Sequence, residues 1–461
     1  MKSFFLFFLL SMILFSACKK ETIITSSDAL LRTSVDSLHF DSVFTSVGSV
    51  TKSFKIYNPN NQKLILSQIK LFGGNLSAFK MNVDGSSGSQ FSNIEIAAND
   101  SIYVFVSVTI NPTSSLNPFI FQDSIAINYN GNQQLIQLDA FGRNANFLRN
   151  KRITTDTTWN NQLPFVILDK LVIDSNKTLL INKGCKIYFH ANAPLIVNGT
   201  LITKGEKYDS GRIIFLGDRI DYPYNDYPAA WPGIYFNSSS RNNVLEFSII
   251  KNAYQALVVL NPQPLGNKLT MNECIVDNSY DAGLIASNSS INIRNTLITN
   301  CGSNVVLLAG GNYNFNHCTI SSFNNNYFQH KNPVLSISNA TSTSSNNLNA
   351  DFRNSIFYGE SGFIDDEITI EKKGTTSFSL QFNNCLYKVK NADPSNATFT
   401  NCIKNQNPLF DTINTYKPLY NFRLKNNSPC INKGTNTFIS FDLDGLNRNV
   451  GLPDIGCFEK Q

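Results

Sequence analysis

Charge is scarce in this sequence. Asp, Glu, Lys and Arg together make up 15% of its 461 residues. The long Leu/Ala/Glu/Lys periodicity of helical proteins is missing as well, which argues against bundles and coiled coils. The net charge of +5 is small and spread along the chain. With no basic block there is no electrostatic footprint for nucleic acid. Only four histidines occur, His39, His190, His317 and His330, and none lies in an HExxH pattern. No CxxC or Cys/His metal spacing, GxSxG elbow, Walker loop or GxGxxG is present. The sequence therefore offers no metal or cofactor site and no catalytic residue. The one long apolar run, Phe4 to Phe15, is well short of the ~18 residues that a spanning helix needs.

What is present is repetition. Between about Leu269 and Asn405 one phrase returns as LTMNECIVDN, INIRNTLITN, YNFNHCTISS, ADFRNSIFYG, LQFNNCLYK and ATFTNCIKN. Each copy alternates apolar residues, then gives a polar residue and a small one. The small residues form a column, Cys274, Thr296, Cys318, Ser355, Cys385 and Cys402, at intervals of 22, 22, 37, 30 and 17 residues. A period near 22 with strand-like alternation predicts stacked coils, a right-handed parallel β-helix. The column before it, Glu273, Asn295, His317, Asn354, Asn384 and Asn401, is rich in Asn. At a tight corner such residues can hydrogen-bond to their copies ~4.8 Å above and below. From Thr155 the period lengthens, and Gly184, Gly199, Gly205 and Gly217 fall where opening coils must turn.

The remaining chain divides around these coils. Residues 1–17 combine a charged start, an apolar core and small residues, the pattern of a secretory signal; residues 18–30 read as a tether. Residues 31–146 carry about seven short strands separated by Asn-Pro, Gly-Gly and Asn-Gly turns, an immunoglobulin-like sandwich. The β-helix then spans 150–407, and 408–461 is placed to cap it. The expected fold is all-β: sandwich, parallel β-helix, C-terminal cap. Eight cysteines follow Cys18. Cys274 and Cys318 sit two coils apart, ~9–10 Å, beyond disulfide reach. Cys385 with Cys402 and Cys430 with Cys457 are near enough to bridge, although most are expected as small buried residues of an inward ladder.

Three resemblances add to this reading. Phe15-Ser16-Ala17-Cys18 resembles a bacterial lipobox. That resemblance implies cleavage before Cys18 and lipidation of its thiol and amine. With Lys19 and Lys20 following, it implies an outer-membrane anchor in a diderm bacterium. Phe40-Asp41, Gly48, Tyr57-Asn58-Pro59, Gly73-Gly74 and Leu138-Asp139-Ala140-Phe141-Gly142 resemble the abnormal-spindle/Hydin-like family of immunoglobulin-like domains, which implies a spacer or protein-interaction module. His190, Gly217-Asp218-Arg219, Trp231-Pro232-Gly233-Ile234 and the tail's Asp442, Asp444, Gly445, Arg448 and Asp454-Ile455-Gly456 resemble bacterial β-helix surface lipoproteins with a pectate-lyase-like fold. That family implies the fold strongly and a function weakly.

One excursion interrupts the coils, residues 218–236. It brings Asp218, Arg219, Asp221, Tyr222, Tyr224, Asp226, Tyr227 and Trp231 into one stretch. Aromatic rings stack on sugars and carboxylates bind hydroxyls, so the stretch is the best ligand candidate, a glycan site; it suits still better a loop folded back with its aromatics packed on the coils and its Asp residues capping turns. The outward column Asn272, Arg294, Asn316, Arg353, Asn383 and Thr400 lacks the paired carboxylates of a glycosidase. Glu360, Asp365, Asp366 and Glu367 are expected to face solvent, and DLDGLNR (442–448) to form a turn rather than a calcium loop. The sequence reads best as a non-catalytic, lipid-anchored outer-membrane protein whose β-helix binds glycan or protein. Its partners would be the membrane, a polysaccharide or a surface complex. A β-helix polysaccharide lyase or glycoside hydrolase is the alternative.

Overall fold

The computed structural model describes residues 22–44, 51–110, 119–263, 265–360, 363–390, 392–448 and 450–461. The signal segment, Cys18 and Gly48 lie outside the described residues. The chain forms two compact units, divided between Asn144 and Ala145. No α-helix occurs among the described residues.

The first unit is a two-sheet sandwich of ten strands. They are β1 (Arg32–Thr33), β2 (Ser37–Phe44), β3 (Lys52–Asn58), β4 (Leu64–Leu71), β5 (Phe79–Val83), β6 (Ser86–Gly88), β7 (Gln90–Ile96), β8 (Asp100–Val108), β9 (Phe119–Tyr129) and β10 (Asn132–Arg143). One sheet runs β1-β3-β8-β5-β6 and the other β2-β10-β9-β4-β7. Alternation drives the core: Phe54, Ile56, Leu64, Leu66, Val104, Val106, Ile125 and Ile127 point inward and are buried. Strand β7 escapes a pattern reading because only Ile96 of its seven residues is buried. Asn58 is a buried polar hub whose amide donates to the carbonyls of Gln62, Ile96 and Ala97. Part of the expected tether is not free. Ile24 N–H donates to the Lys63 carbonyl, and Ala29 is buried in the sandwich core.

The second unit is a parallel β-helix whose coils contribute 26 strands, from Asn146–Ile153 to Ile403–Lys404, to one continuous parallel ladder. Register is unbroken along the repeats: Thr203 pairs with Leu245, then Met271, Ile293, Phe315, Phe352, Phe382 and Phe399 follow one above another. These side chains point inward. The rings of Phe352, Phe382 and Phe399 stack with centroids 4.7 Å apart, which is the strand spacing itself. The small column is buried as expected except for Cys402, which is partly exposed, and all eight cysteines after Cys18 are free thiols. Burial pushes the thiols of Cys274, Cys301 and Cys318 up to about 12.

The Asn-rich column has a backbone cause. Glu273, Asn295, His317, Asn354, Asn384 and Asn401 all adopt the left-handed conformation, with φ between 44° and 54°. Asn visits this region more readily than other residues with a Cβ, because its short amide can bond locally. Vertical bonds exist at Asn295, whose amide donates to Glu273 Oε1 (3.1 Å), and between Asn354 and His317 Nε2 (2.9 Å). The amides also face outward, to the C-terminal tail. Asn295 donates to the Phe441 carbonyl, Asn354 to Thr435, and Asn384 to Lys433. His317 Nε2 lies 3.1 Å from Thr437 Oγ1. The tail therefore runs back down the corner of the coils.

It caps the stack along its side. Ile275, Leu297, Thr319, Ile356, Leu386 and Ile403 share one outward register. This column is apolar because Phe410, Phe422, Leu424, Leu443, Ile455 and Phe458 of the tail lie over it. Thr319 is its polar member, and its hydroxyl accepts the Cys457 N–H. Asp442 closes a turn, as expected: one oxygen accepts the N–H of Asp444 and Leu446, the other that of Glu459. Of the acids expected in solvent, Glu367 is the exception. It is fully buried, both oxygens 3.0 Å from His330 Nε2, because its strand brings it under the His330 loop.

Candidate functional site

A second left-handed corner, Asn252, Asn278 and Asn300, positions the excursion. Asn252 and Asn278 donate to the carbonyls of Asn225 and Asp226, and Asn278 also to Asn252 Oδ1, each at 2.9 Å. These bonds fix a short 3-10 turn, Tyr224–Asp226. The guanidinium of Arg219 grips Asp221 through two bonds of 2.8 and 3.1 Å and stacks 3.7 Å above the Tyr224 ring. Asp218 is nearly enclosed and bonds His190 Nδ1 at 2.7 Å. Burial raises its carboxyl above the usual range, with His190 opposing the shift. Asp226 lies 3.7 Å from Lys251, which also meets Asp277 at 3.1 Å; Asp277 then Asp226 hold the ammonium above its ordinary value.

Trp231, expected on the ligand surface, is inside the coil. It is fully buried, stacks on Phe189 at 4.3 Å and donates its indole N–H to the Lys251 carbonyl. The chain re-enters the coil here: Trp231 bridges to Ala253, and Ile234–Phe236 resumes the ladder. The ring is turned inward as core, not outward as platform.

The outward rings join others that the motif reading missed. Tyr224 packs on Tyr227 (5.3 Å), and Tyr227 edge-on to Tyr327 (5.3 Å). Phe328, next in sequence, packs against Tyr280 (6.3 Å), which stacks on Tyr254 (5.8 Å). Tyr222, Tyr224, Tyr227, Tyr254 and Tyr280 are all exposed. The outcome is a continuous aromatic strip edged by Asp226, Lys251, Asp277 and the Gln255–Asp281 pair (2.6 Å). A signal for half of it was present: Lys251-Asn252-Ala253-Tyr254 and Asp277-Asn278-Ser279-Tyr280 are one phrase repeated. The next copy, Thr299-Asn300-Cys301-Gly302, ends in Gly, and the ladder of rings stops there.

Such a strip can hold flat, partly apolar rings by stacking while its carboxylates and amides bind hydroxyl groups. Among the described residues, no three His, Cys, Asp or Glu side chains converge as metal ligands would. The outward strand column is less acid-free than its sequence suggests. Asp351 shares a face with Arg353 and pairs with it at 2.7 Å.

No family model matches this chain, and no curated protein matches it. Among solved structures, a family 123 glycoside hydrolase from Clostridium perfringens aligns at 10% identity with a TM-score of 0.18, over 25% of this chain and 26% of that one. An ASH/PapD-like domain of human CEP192 aligns at 10% identity with a TM-score of 0.17, over 27% of this chain and 91% of that one. This chain thus spans about a quarter of the length of the hydrolase, and at these scores neither likeness bears on function.

Proposed function

We propose that this protein binds polysaccharide along the aromatic strip, holding it at a bacterial surface without cleaving it. The strip carries the reading. Exposed tyrosines in mutual contact, set on a rigid ladder, present ring faces at little entropic cost. The acids of the excursion support binding over catalysis, since Asp218, Asp221 and Asp226 are each engaged by a neighbouring cation or imidazole. In this reading Cys18 carries the lipid that anchors the chain in the outer membrane. The sandwich is then the spacer, in keeping with the resemblance to β-helix surface lipoproteins.

The test is binding of the purified chain to a panel of neutral and acidic polysaccharides, with product release followed in the same tubes. A Tyr254→Ala/Tyr280→Ala variant is expected to bind at least tenfold more weakly with an unchanged melting temperature. Reducing ends or unsaturated uronides would overturn the non-catalytic reading. Undiminished binding by the variant would remove the strip from it, and retention of a protein partner in place of any glycan would replace it.

A further inference from the structure

The two outward faces of the sandwich differ in charge. On the sheet β2-β10-β9-β4-β7 the acids Asp139 and Glu95 point outward, and each is already paired, with His39 and with Lys63. The sheet β1-β3-β8-β5-β6 carries rings and bases instead. Phe54, Ile56, Val104 and Val106 are buried on its inner side, so alternation turns Lys55, Tyr57, Tyr103 and Phe105 outward. Register sets Arg32 beside Tyr57, and Lys80 beside Ser107, on the same side. The other outward positions of these strands are Ser and Asn. The acids of this sheet stand at strand ends, Asp100 at the start of β8 and Asp84 in the turn between β5 and β6.

We propose that this face docks on the anionic lipid surface in which Cys18 is anchored. The proposal rests on the reading that Cys18 carries the lipid. Its occupant follows from where the chain becomes fixed. The Thr22 carbonyl accepts the Lys63 N–H at 3.0 Å, Ile24 N–H donates to the Lys63 carbonyl at 2.9 Å, and Gln62 donates to Thr22 Oγ1 at 3.0 Å. The sandwich therefore holds the chain from Thr22 onward, and Thr22 is only four residues after Cys18. Four residues reach at most ~14 Å even when fully extended. A lipid on Cys18 thus keeps the sandwich against the bilayer, with no long tether to lift it away.

The face has the chemistry of a lipid interface. Tyr57, Tyr103 and Phe105 are 37%, 44% and 39% exposed. Tyr103 and Phe105 stack at 5.7 Å, and the Lys55 ammonium lies 4.6 Å from the Tyr103 ring and 6.0 Å from that of Tyr57. Rings with a polar tip suit the headgroup layer, while lysine stems lie along apolar surface and carry their charge to phosphate. Arg32, Lys55 and Lys80 form no ion pair among the described residues, so their charge is available to anionic lipid. The anchored end and this face also meet. Tyr57 and Lys63 flank the single turn between β3 and β4, and Asn60 in that turn holds Leu30 by two bonds, leading the chain into β1 and Arg32. A short tether raises the local concentration of the surface, so a face of modest intrinsic affinity is enough.

Vesicle flotation tests the docking on the chain begun at Lys19, which retains every described residue and carries no lipid. Its partition onto phosphatidylcholine vesicles containing phosphatidylglycerol, at low salt, should exceed that onto phosphatidylcholine alone by about tenfold. Lys55→Gln/Lys80→Gln should remove most of that difference. Tyr103→Ser/Phe105→Ser should lower partition onto the anionic vesicles about fivefold, and Tyr254→Ala/Tyr280→Ala should leave it unchanged. Equal partition onto the two vesicles, wild-type partition by both face variants, or loss only in the strip variant would each overturn the docking. Should the ring variant fail to fold, the lysine variant decides alone. The mass of the Cys18 peptide, from the full chain made in a diderm bacterium, tests the reading beneath. Lipid there supports the short tether. An unmodified Cys18 would overturn the anchored reading whatever the vesicles show, whereas a lipidated Cys18 with indifferent vesicles would overturn the docking alone.

Discussion

Asn354 offers the sharpest test of why asparagine repeats at the first corner. The residue is fully buried with φ at 47°. Its amide donates to the Thr435 carbonyl at 2.8 Å, its Oδ1 accepts the Thr435 N–H at 2.9 Å, and it meets His317 Nε2 at 2.9 Å. Replacing it with Ala keeps the backbone angle and so incurs about 1 kcal/mol of left-handed strain. It also removes the two part-buried hydrogen bonds to the Thr435 backbone, at about 0.5–1.5 kcal/mol each. Asn354→Ala should therefore cost about 2–4 kcal/mol. Gly removes the same bonds but tolerates the angle, so Asn354→Gly should cost about 1 kcal/mol less. Urea unfolding gives the two values, and hydrogen exchange should show lost protection around Thr435 in both variants. If Ala and Gly were equal, strain would not be part of the account. If both were neutral and Thr435 stayed protected, the corner amides would not be holding the tail.

Three further outcomes follow from the same geometry. Trp231→Ala should destabilise the coils by about 3–5 kcal/mol, as truncation of a fully buried indole does, while Tyr222→Ala leaves unfolding unchanged; chemical denaturation separates them. Burial raises the Glu459 carboxyl to about 7 beside Arg448, Asp442 and Asp454. Because the fold favours this carboxyl protonated, urea stability should fall as pH rises from about 4.5 to about 7 and level off above, and Glu459→Gln should lessen that fall. Among the described cysteines, Cys402 alone is partly exposed and has its thiol lowered, by a hydrogen bond with Cys385. Mass spectrometry after brief iodoacetamide treatment should find it labelled first and the buried thiols last.

The coils were legible because their causes are local. Strand alternation and a small residue every coil recur in the sequence at the spacing the ladder uses, and the register runs as the copies align. The Asn column was visible as a column, but its reason was not. Asn354 and Thr435 are 81 residues apart, and no pattern within one repeat shows a tail returning to it. Trp231 misled for the opposite reason. Set among Tyr, Pro and Asp it reads as part of a polar loop, yet the chain at that point has already rejoined the ladder. Glu367 was similarly obscured, since its partner His330 belongs to a different insertion. The aromatic strip lay half in view, as a repeated Asn-x-Tyr phrase, and half out of it, in the Tyr327-Phe328 insertion.

The excursion and the tail are held by one construction. A β-helix coil needs residues at its corners that accept positive φ, and Asn is the residue with a side chain that accepts it most cheaply. Once there, the amide has a donor and an acceptor directed away from the stack. It can clamp the backbone of any segment that does not repeat. At one corner Asn252 and Asn278 hold the excursion that presents Tyr224 and Tyr227. At the other, Asn295, Asn354 and Asn384 hold the tail that covers the outward apolar column. The regular part of the chain thus supplies anchoring points at a fixed pitch, and the irregular parts supply chemistry. It follows that exchanging the excursion or the tail for an unrelated segment should leave the coils folded, provided that their outward apolar column stays covered. Removing the tail outright would expose Leu297, Ile356 and Leu386 together, and a chain cut after Asn405 should associate through that face where the full chain does not.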